Sequence, residues 1–208
     1  MRSRLALIDR SLARFLREVA RGSPTPGGGS AAALAGSLAA ALVAMVCELT
    51  LGKRGYEAVE GEMRGGLARA ALLRDELAEL IEEDIQAFDR VMAAHRLPRG
   101  ERGRAEALEA ALKRATKVPL ETAERCLKVL ELAELAAAKG NKNALSDAGT
   151  AGWLARAGLE AALLNVAANL SSIEDEAFRR EGERRREELA LQGRAHHERL
   201  LGYLEGRR

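Results

Sequence analysis

Pro24-Thr25-Pro26-Gly27-Gly28-Gly29-Ser30 leads into Ala31 to Cys47, a run without charge, mostly alanine, interrupted by Gly36, Ser37 and a few large apolar side chains. Either this is a linker followed by a membrane anchor, or a tight turn feeding a buried helix, and the choice decides the fold. Ser30 to Cys47 is 18 residues and Glu48 closes it, slightly short of the roughly 20 apolar residues that a span needs. Ala32, Gly36, Ala40 and Ala44 recur every fourth residue, which suits close helix packing. With no polar face, such a helix must be surrounded. A buried helix of a soluble domain is the preferred reading, and a membrane span is the alternative.

The remainder of the chain offers helices that could do the surrounding. At 208 residues it has the length of one domain with a real core. Apolar residues make up 47% and charged residues 31%, a globular rather than disordered balance. Aromatics are only 3%, so the β-branched and aromatic residues that strands prefer are scarce and helices are favoured throughout. A net charge of +2 gives no electrostatic bias toward nucleic acid or acidic membranes. Cys47 and Cys126 lie in apolar periodic segments without metal-ligand spacing, and read as small buried hydrophobes. The N-terminus alternates charge with leucine, unlike a signal peptide, so a cytoplasmic location is expected.

Leu5, Ile8, Leu12, Phe15, Leu16 and Val19 predict a first amphipathic helix ending at Gly22. Beyond the apolar run comes a basic turn, Gly52-Lys53-Arg54-Gly55, then a weaker helical segment that breaks near Gly65-Gly66. A long helix is expected from Leu67 to Arg96. Asp84 lies on its apolar stripe, seven residues after Leu77 and four before Phe88. A carboxylate there costs free energy unless paired or neutralised, so it is either a structural pair or cap, or a tuned acid or base. Glu82, Glu83 and Asp89 fall off the stripe. From Leu108 to Leu130 one apolar phase runs across Pro119, implying one kinked helix or two collinear ones, stopped by Gly140 as a C-terminal cap.

Gly140-Asn141-Lys142-Asn143-Ala144-Leu145-Ser146-Asp147 then leads into a second small-residue helix reaching Leu170. Asn143 or Ser146 could cap it, with Asp147 complementing its dipole. Asn165 and Asn169 share a face, but Asn165 lies about 27 Å along the axis from Asp147, and the two read first as interhelical hydrogen-bonders. Ser172 is expected to cap the last, charge-rich helix, with Asp175 at the box position. His196 and His197 point about 100° apart, as surface residues rather than a metal pair.

There is no phosphate-binding loop, no strand ahead of the glycines, and no His-Glu-x-x-His motif. What remains is a triple-glycine helix entry whose N–H groups at Gly28, Gly29 and Ser30 could hold a ligand, a core-facing Asp84, and the polar entry from Asn141 to Asp147.

In order along the chain, Pro26-Gly27-Gly28-Gly29-Ser30 before an alanine-rich helix, Asp84 with Ala87-Phe88, Leu97-Pro98, Val118-Pro119-Leu120 with Ala123-Glu124, Gly140-Asn141 with Ser146-Asp147, and Asn165-Val166 with Asn169-Leu170 resemble the cyclodeaminase/cyclohydrolase domain family. That family is known from the C-terminal half of formimidoyltransferase-cyclodeaminase. The segment from Arg99 to Arg104 looks shorter than the family's usual loop, and no formimidoyltransferase half is present.

The resemblance implies a single all-α, dimerising domain: a bundle of long, kinked helices around the buried Ala/Gly-rich helix. It implies folate one-carbon chemistry with a reduced folate as substrate, no further cofactor and no metal. The first expectation is formimidoyltetrahydrofolate cyclodeaminase, in which N10 attacks the formimidoyl carbon and ammonia leaves. Methenyltetrahydrofolate cyclohydrolase is the alternative, and a non-catalytic folate-binding or scaffold protein a further one. On this reading Asp84 and Asp147 are the acid/base pair, Asn141 and Ser146 orient the reacting group, and Gly28, Gly29 and Ser30 supply backbone donors. Lys53 and Arg54 either meet the anionic glutamate tail or form a solvated turn.

Overall fold

The computed structural model describes residues 11–206, so Leu5 and Ile8 of the expected first helix lie outside the described residues. Helix α1 is Leu12–Val19, opened by Ser11, whose Oγ accepts the Arg14 N–H at 3.3 Å. It is followed by α2 (Gly28–Glu48), α3 (Glu60–Arg96), α4 (Arg104–Lys139), α5 (Leu145–Leu170) and α6 (Glu176–Gly206). Single 3-10 turns, Glu57–Val59 and Lys142–Ala144, lead into α3 and α5. No strand occurs among the described residues, and the all-α expectation holds.

Helices α2 and α5 lie side by side and antiparallel. The start of α2 meets the end of α5, with Gly28 beside Asn165; its other end meets Asn141, just ahead of α5. Helix α3 packs on α2, α4 packs on both α3 and α5, and α6 lies along α4 and α5. The small residues make this approach possible. A Cβ at Gly36 would stand 2.6 Å from the Cys126 sulfur, and one at Gly158 would stand 2.9 Å from the Ala32 carbonyl oxygen. Both cysteines are buried and free, with burial pushing their thiols up to about 11 at Cys47 and about 12 at Cys126.

Four local expectations change. Gly65-Gly66 does not break a helix: α3 runs through it, because Met63, Gly66 and Ala70 bury the inner face and Gly66 packs on the Cys47 sulfur. That packing outweighs the roughly 0.5–1 kcal/mol cost of each helical glycine. The Lys142–Ala144 turn, not a side chain, opens α5; Asn143 and Ser146 do not cap it. Asp175 rather than Ser172 caps α6, its Oδ1 accepting the N–H groups of Ala177 and Phe178 at 3.0 Å each.

The fourth concerns α2, which is buried along one side but not surrounded. Ala33, Ala40, Val43 and Val46 are buried, whereas Leu38 is 52% exposed and Leu49 50% exposed. Among the described residues α2 is also the helix long and apolar enough to cross a membrane.

Candidate active site

Gly29 and Ser30 sit in the first turn of α2, where N–H groups lack partners within the helix. Asp84 approaches this turn from α3. Its Oδ2 accepts the Ser30 hydroxyl at 2.9 Å, and the Ser30 backbone N–H adds a second bond. The approach requires glycine at position 29, since a Cβ there would stand 2.1 Å from Asp84 Oδ1. Asp84 therefore caps α2 from another helix. Burial raises its carboxyl above the ordinary carboxylate value, opposed in part by the two Ser30 bonds.

Asp84 also faces a cavity of about 310 Å³ at the junction of α2, α3, α4 and α5. Phe88, Val91 and Leu112 make its apolar wall, while Gly28 and Gly29 present backbone. Among its lining residues Asp84 is the one ionisable side chain. Glu83, one residue earlier, points elsewhere and is tied to Arg114.

Thr25, Asn165 and Asn169 supply the remaining polar side chains of the lining. Asn169 is the interhelical hydrogen-bonder expected, with its Nδ2 donating to the Ala115 carbonyl of α4 at 2.7 Å. Asn165 is not: its Nδ2 donates at 2.8 Å to the Ala161 carbonyl of its own helix. Their place beside Asp84 was open to sequence reading only through the asparagine repeat at i, i+4 in a helix rich in alanine, glycine and leucine.

The other expected site residues gather at the opposite end of the α2–α5 pair. Lys53 Nζ donates to Asn141 Oδ1 at 2.8 Å, Asn141 Nδ2 donates to the Leu49 carbonyl at 2.9 Å, and the Asn141 N–H donates to Thr50 Oγ1 at 2.9 Å. Asn141 thus clamps the loop after α2 to the entry of α5, with Lys53 lying over the Tyr56 ring. Arg54 and Ser146 are exposed, and Asp147 is partly exposed in the first turn of α5. Asn165 lies eighteen positions after Asp147 on α5, about 27 Å along the axis. Asp84 and Asp147 do not meet within one chain. Asp84 shares its cavity with Gly28 and Gly29 and bonds Ser30, while Asp147 is grouped with Lys53, Arg54, Asn141 and Ser146.

Among the described residues no group of three or more His, Cys, Asp or Glu side chains could share a metal ion. His196 is held between Glu131 and Glu134, and His197 packs edge-on against Trp153.

A helical bundle that places one desolvated carboxylate against a helix N-terminus and two carboxamides defines the class: an all-α protein with a single ionisable side chain lining its cavity. The chain belongs to the formiminotransferase-cyclodeaminase family, whose model it matches over residues 11–188. It is 43% identical to the methenyltetrahydrofolate cyclohydrolase of Methylorubrum extorquens, over 92% of this chain and 94% of that one. It is 33% identical to the formimidoyltransferase-cyclodeaminase of Rattus norvegicus, matching over 98% of its own length but only 38% of the rat protein. The crystal structure of formiminotetrahydrofolate cyclodeaminase from Thermotoga maritima superposes with a TM-score of 0.89 at 35% identity, covering 95% of this chain and 97% of that one.

Proposed function

We propose that this chain is a folate one-carbon enzyme that hydrolyses 5,10-methenyltetrahydrofolate to 10-formyltetrahydrofolate. This reverses the order expected from sequence, where cyclodeamination came first. The observation that carries it is the 43% identity, almost end to end, to a methenyltetrahydrofolate cyclohydrolase. The cyclodeaminase reading keeps the support of the Thermotoga maritima structure.

The cavity suits the chemistry. The methenyl carbon is part of an amidinium cation spanning N5 and N10, and Asp84 is the ionisable group lining the cavity. Bringing a cation beside Asp84 lowers its raised pKa, so substrate itself favours the carboxylate form. That carboxylate takes a proton as water adds to the methenyl carbon, giving a carbinolamine. The carbon–N5 bond then breaks, N5 takes up a proton from Asp84, and the hydroxyl proton leaves as the formyl carbonyl forms. One water is consumed and one proton released overall. A positioned side chain of this kind contributes about 10²–10⁴-fold.

The test is spectroscopic. Methenyl and 5-formimidoyl substrates are offered separately and the near-ultraviolet absorbance of the methenyl form is followed. A fall with the first supports the proposal, a rise with the second supports cyclodeamination, and no change in either favours a scaffold.

We further propose that the chain works as a homodimer. Leu38 on α2, Leu49 just past its end, and Trp153 and Leu164 on α5 are all half or more exposed. Helix α3 packs on α2, α4 on both α2 and α5, and α6 on α5; the large side chains they leave uncovered are apolar, of the kind a second copy covers. Because α2 and α5 are antiparallel, a two-fold axis across their middle carries the Asp147 end of one copy to the Asp84 end of the other.

A further inference from the structure

We propose that Asn165 reads the amide edge of the pterin ring, an assignment that rests on the folate reading above. The cavity's volume of about 310 Å³ lies at the lower limit of the roughly 300–1,000 Å³ typical of small-molecule sites. It accommodates a fused bicyclic ring with its one-carbon bridge and leaves the aryl-glutamate tail outside. The Phe88 ring and the Leu112 side chain form a wall against which a planar heterocycle stacks.

Such a ring needs its polar edge satisfied once it leaves water. Its 2-amino-4-oxo edge places an N–H donor at N3 beside a carbonyl acceptor at C4. A carboxamide offers the matching acceptor and donor side by side, as it does for adenine in nucleic-acid recognition. Asn165 has both to spare. Its Nδ2 spends one N–H on the Ala161 carbonyl, leaving the other free. Its Oδ1 accepts no hydrogen bond among the described residues.

Asn169 is the poorer reader, because its amide is already committed to Ala115 on another helix. Position also favours Asn165. Its amide lies 3.5 Å from where a Cβ on Gly28 would be, and Asp84 lies 2.1 Å from where one on Gly29 would be. Carboxamide and carboxylate thus flank successive residues of one helical turn, so a ring gripped by the first presents its bridge carbon to the second.

Asn165→Leu and Asn165→Ser are compared with the parent protein, using 6-methyltetrahydropterin as a tailless ring and p-aminobenzoylglutamate as a ringless tail. Calorimetry measures both affinities, and turnover of the methenyl substrate gives KM and kcat. Both variants are expected to weaken ring binding and raise KM about tenfold or more, the worth of one or two lost hydrogen bonds. Tail binding and helical content stay unchanged. Leucine could obstruct the cavity; serine, which is smaller, separates a lost bond from a clash. Unchanged ring affinity and KM in the serine variant would overturn the assignment, as would equal losses for ring and tail. A parent protein that binds the ring but turns over neither folate leaves Asn165 as reader and removes the proposed reaction. One that turns over substrate with a serine variant of normal KM does the reverse. No ring binding and no turnover sinks both.

Discussion

The side-chain amide of Asn169 donates a 2.7 Å hydrogen bond to the backbone carbonyl of Ala115, the group four residues before Pro119. In an unbroken helix that carbonyl would accept the N–H of residue 119, which proline lacks. Helix α4 nevertheless runs from Arg104 to Lys139 as one element with Pro119 buried inside it. A side chain from α5 fills the vacancy, and the same side chain lines the Asp84 cavity. One asparagine thus ties the irregularity of α4 to the wall of the site.

Replacing Asn169 with alanine leaves that carbonyl unpaired, and should destabilise the protein by about 1–3 kcal/mol. In a Pro119→Ala background the restored N–H can serve Ala115, so the same replacement should cost less. Urea denaturation of the four proteins gives the coupling directly, expected at about 0.5–3 kcal/mol. Strict additivity would mean the asparagine does not compensate the proline.

Gly29→Ala should cost about 10²-fold in turnover or more, since misplacing a reacting group by about 1 Å has that effect. The added Cβ would stand 2.1 Å from Asp84 Oδ1, so the carboxylate has to move. Gly28→Ala is the control for helix propensity in the same turn, its Cβ being in ordinary 3.5 Å contact with Asn165. Equal rates for the two variants would remove the close approach as the reason for glycine at position 29.

The pH dependence follows from the raised carboxyl of Asp84. The folded state holds this proton more tightly than the unfolded chain, whose aspartates titrate near about 3.9. The stabilisation is therefore complete below that value and is lost as pH rises through the higher folded value. Asp84→Asn removes the titration. The Tm of the variant minus that of the parent should climb with pH across this window and then level off, while turnover is lost. A difference that falls with rising pH would mean the Ser30 hydrogen bonds outweigh burial.

Much of this architecture could be read from the chain. The uncharged run could be recognised as a helix because eighteen residues without charge or proline have little else to form. Asp84 stood out because helical phase placed it between Leu77 and Phe88. Less accessible was everything that depends on a neighbour. Gly65-Gly66 looks like a break until Cys47 is known to need the space beside Gly66. Leu38 looks buried, because periodicity does not say how many helices are at hand to cover it. Asn165 carries a common intrahelical bond, and only the arrival of Gly28 and Asp84 from other helices makes it part of a cavity.

Gly65→Ala offers a direct measure of that first misreading. The position is exposed in the interior of α3, and a Cβ there meets nothing within 4 Å. Substitution should stabilise the protein by about 0.5–1 kcal/mol in urea denaturation. Gly66→Ala should gain less or lose, because its Cβ comes within 3.2 Å of the Cys47 sulfur. A loss of stability at Gly65 would mean that α3 bends there after all.

The distance between Asp84 and Asp147 allows a test that separates one chain from two. Suppose both carboxylates serve the same substrate across a homodimer. Co-expressed Asp84→Asn and Asp147→Asn chains then form heterodimers in which one site carries both substitutions and the other carries neither. Two inactive variants should regain activity when paired. If Asp147 instead acts within its own chain, every site in the heterodimer has one defect and no activity returns. Differently tagged chains allow the heterodimer to be purified before assay. Adding Leu38→Glu to both chains buries charge in the proposed apolar contact, and should abolish the rescue with a monomeric elution volume and unchanged circular dichroism. Wild-type turnover by the Asp147→Asn homodimer would take Asp147 out of the chemistry, leaving Asp84 as the acid–base group of the cavity.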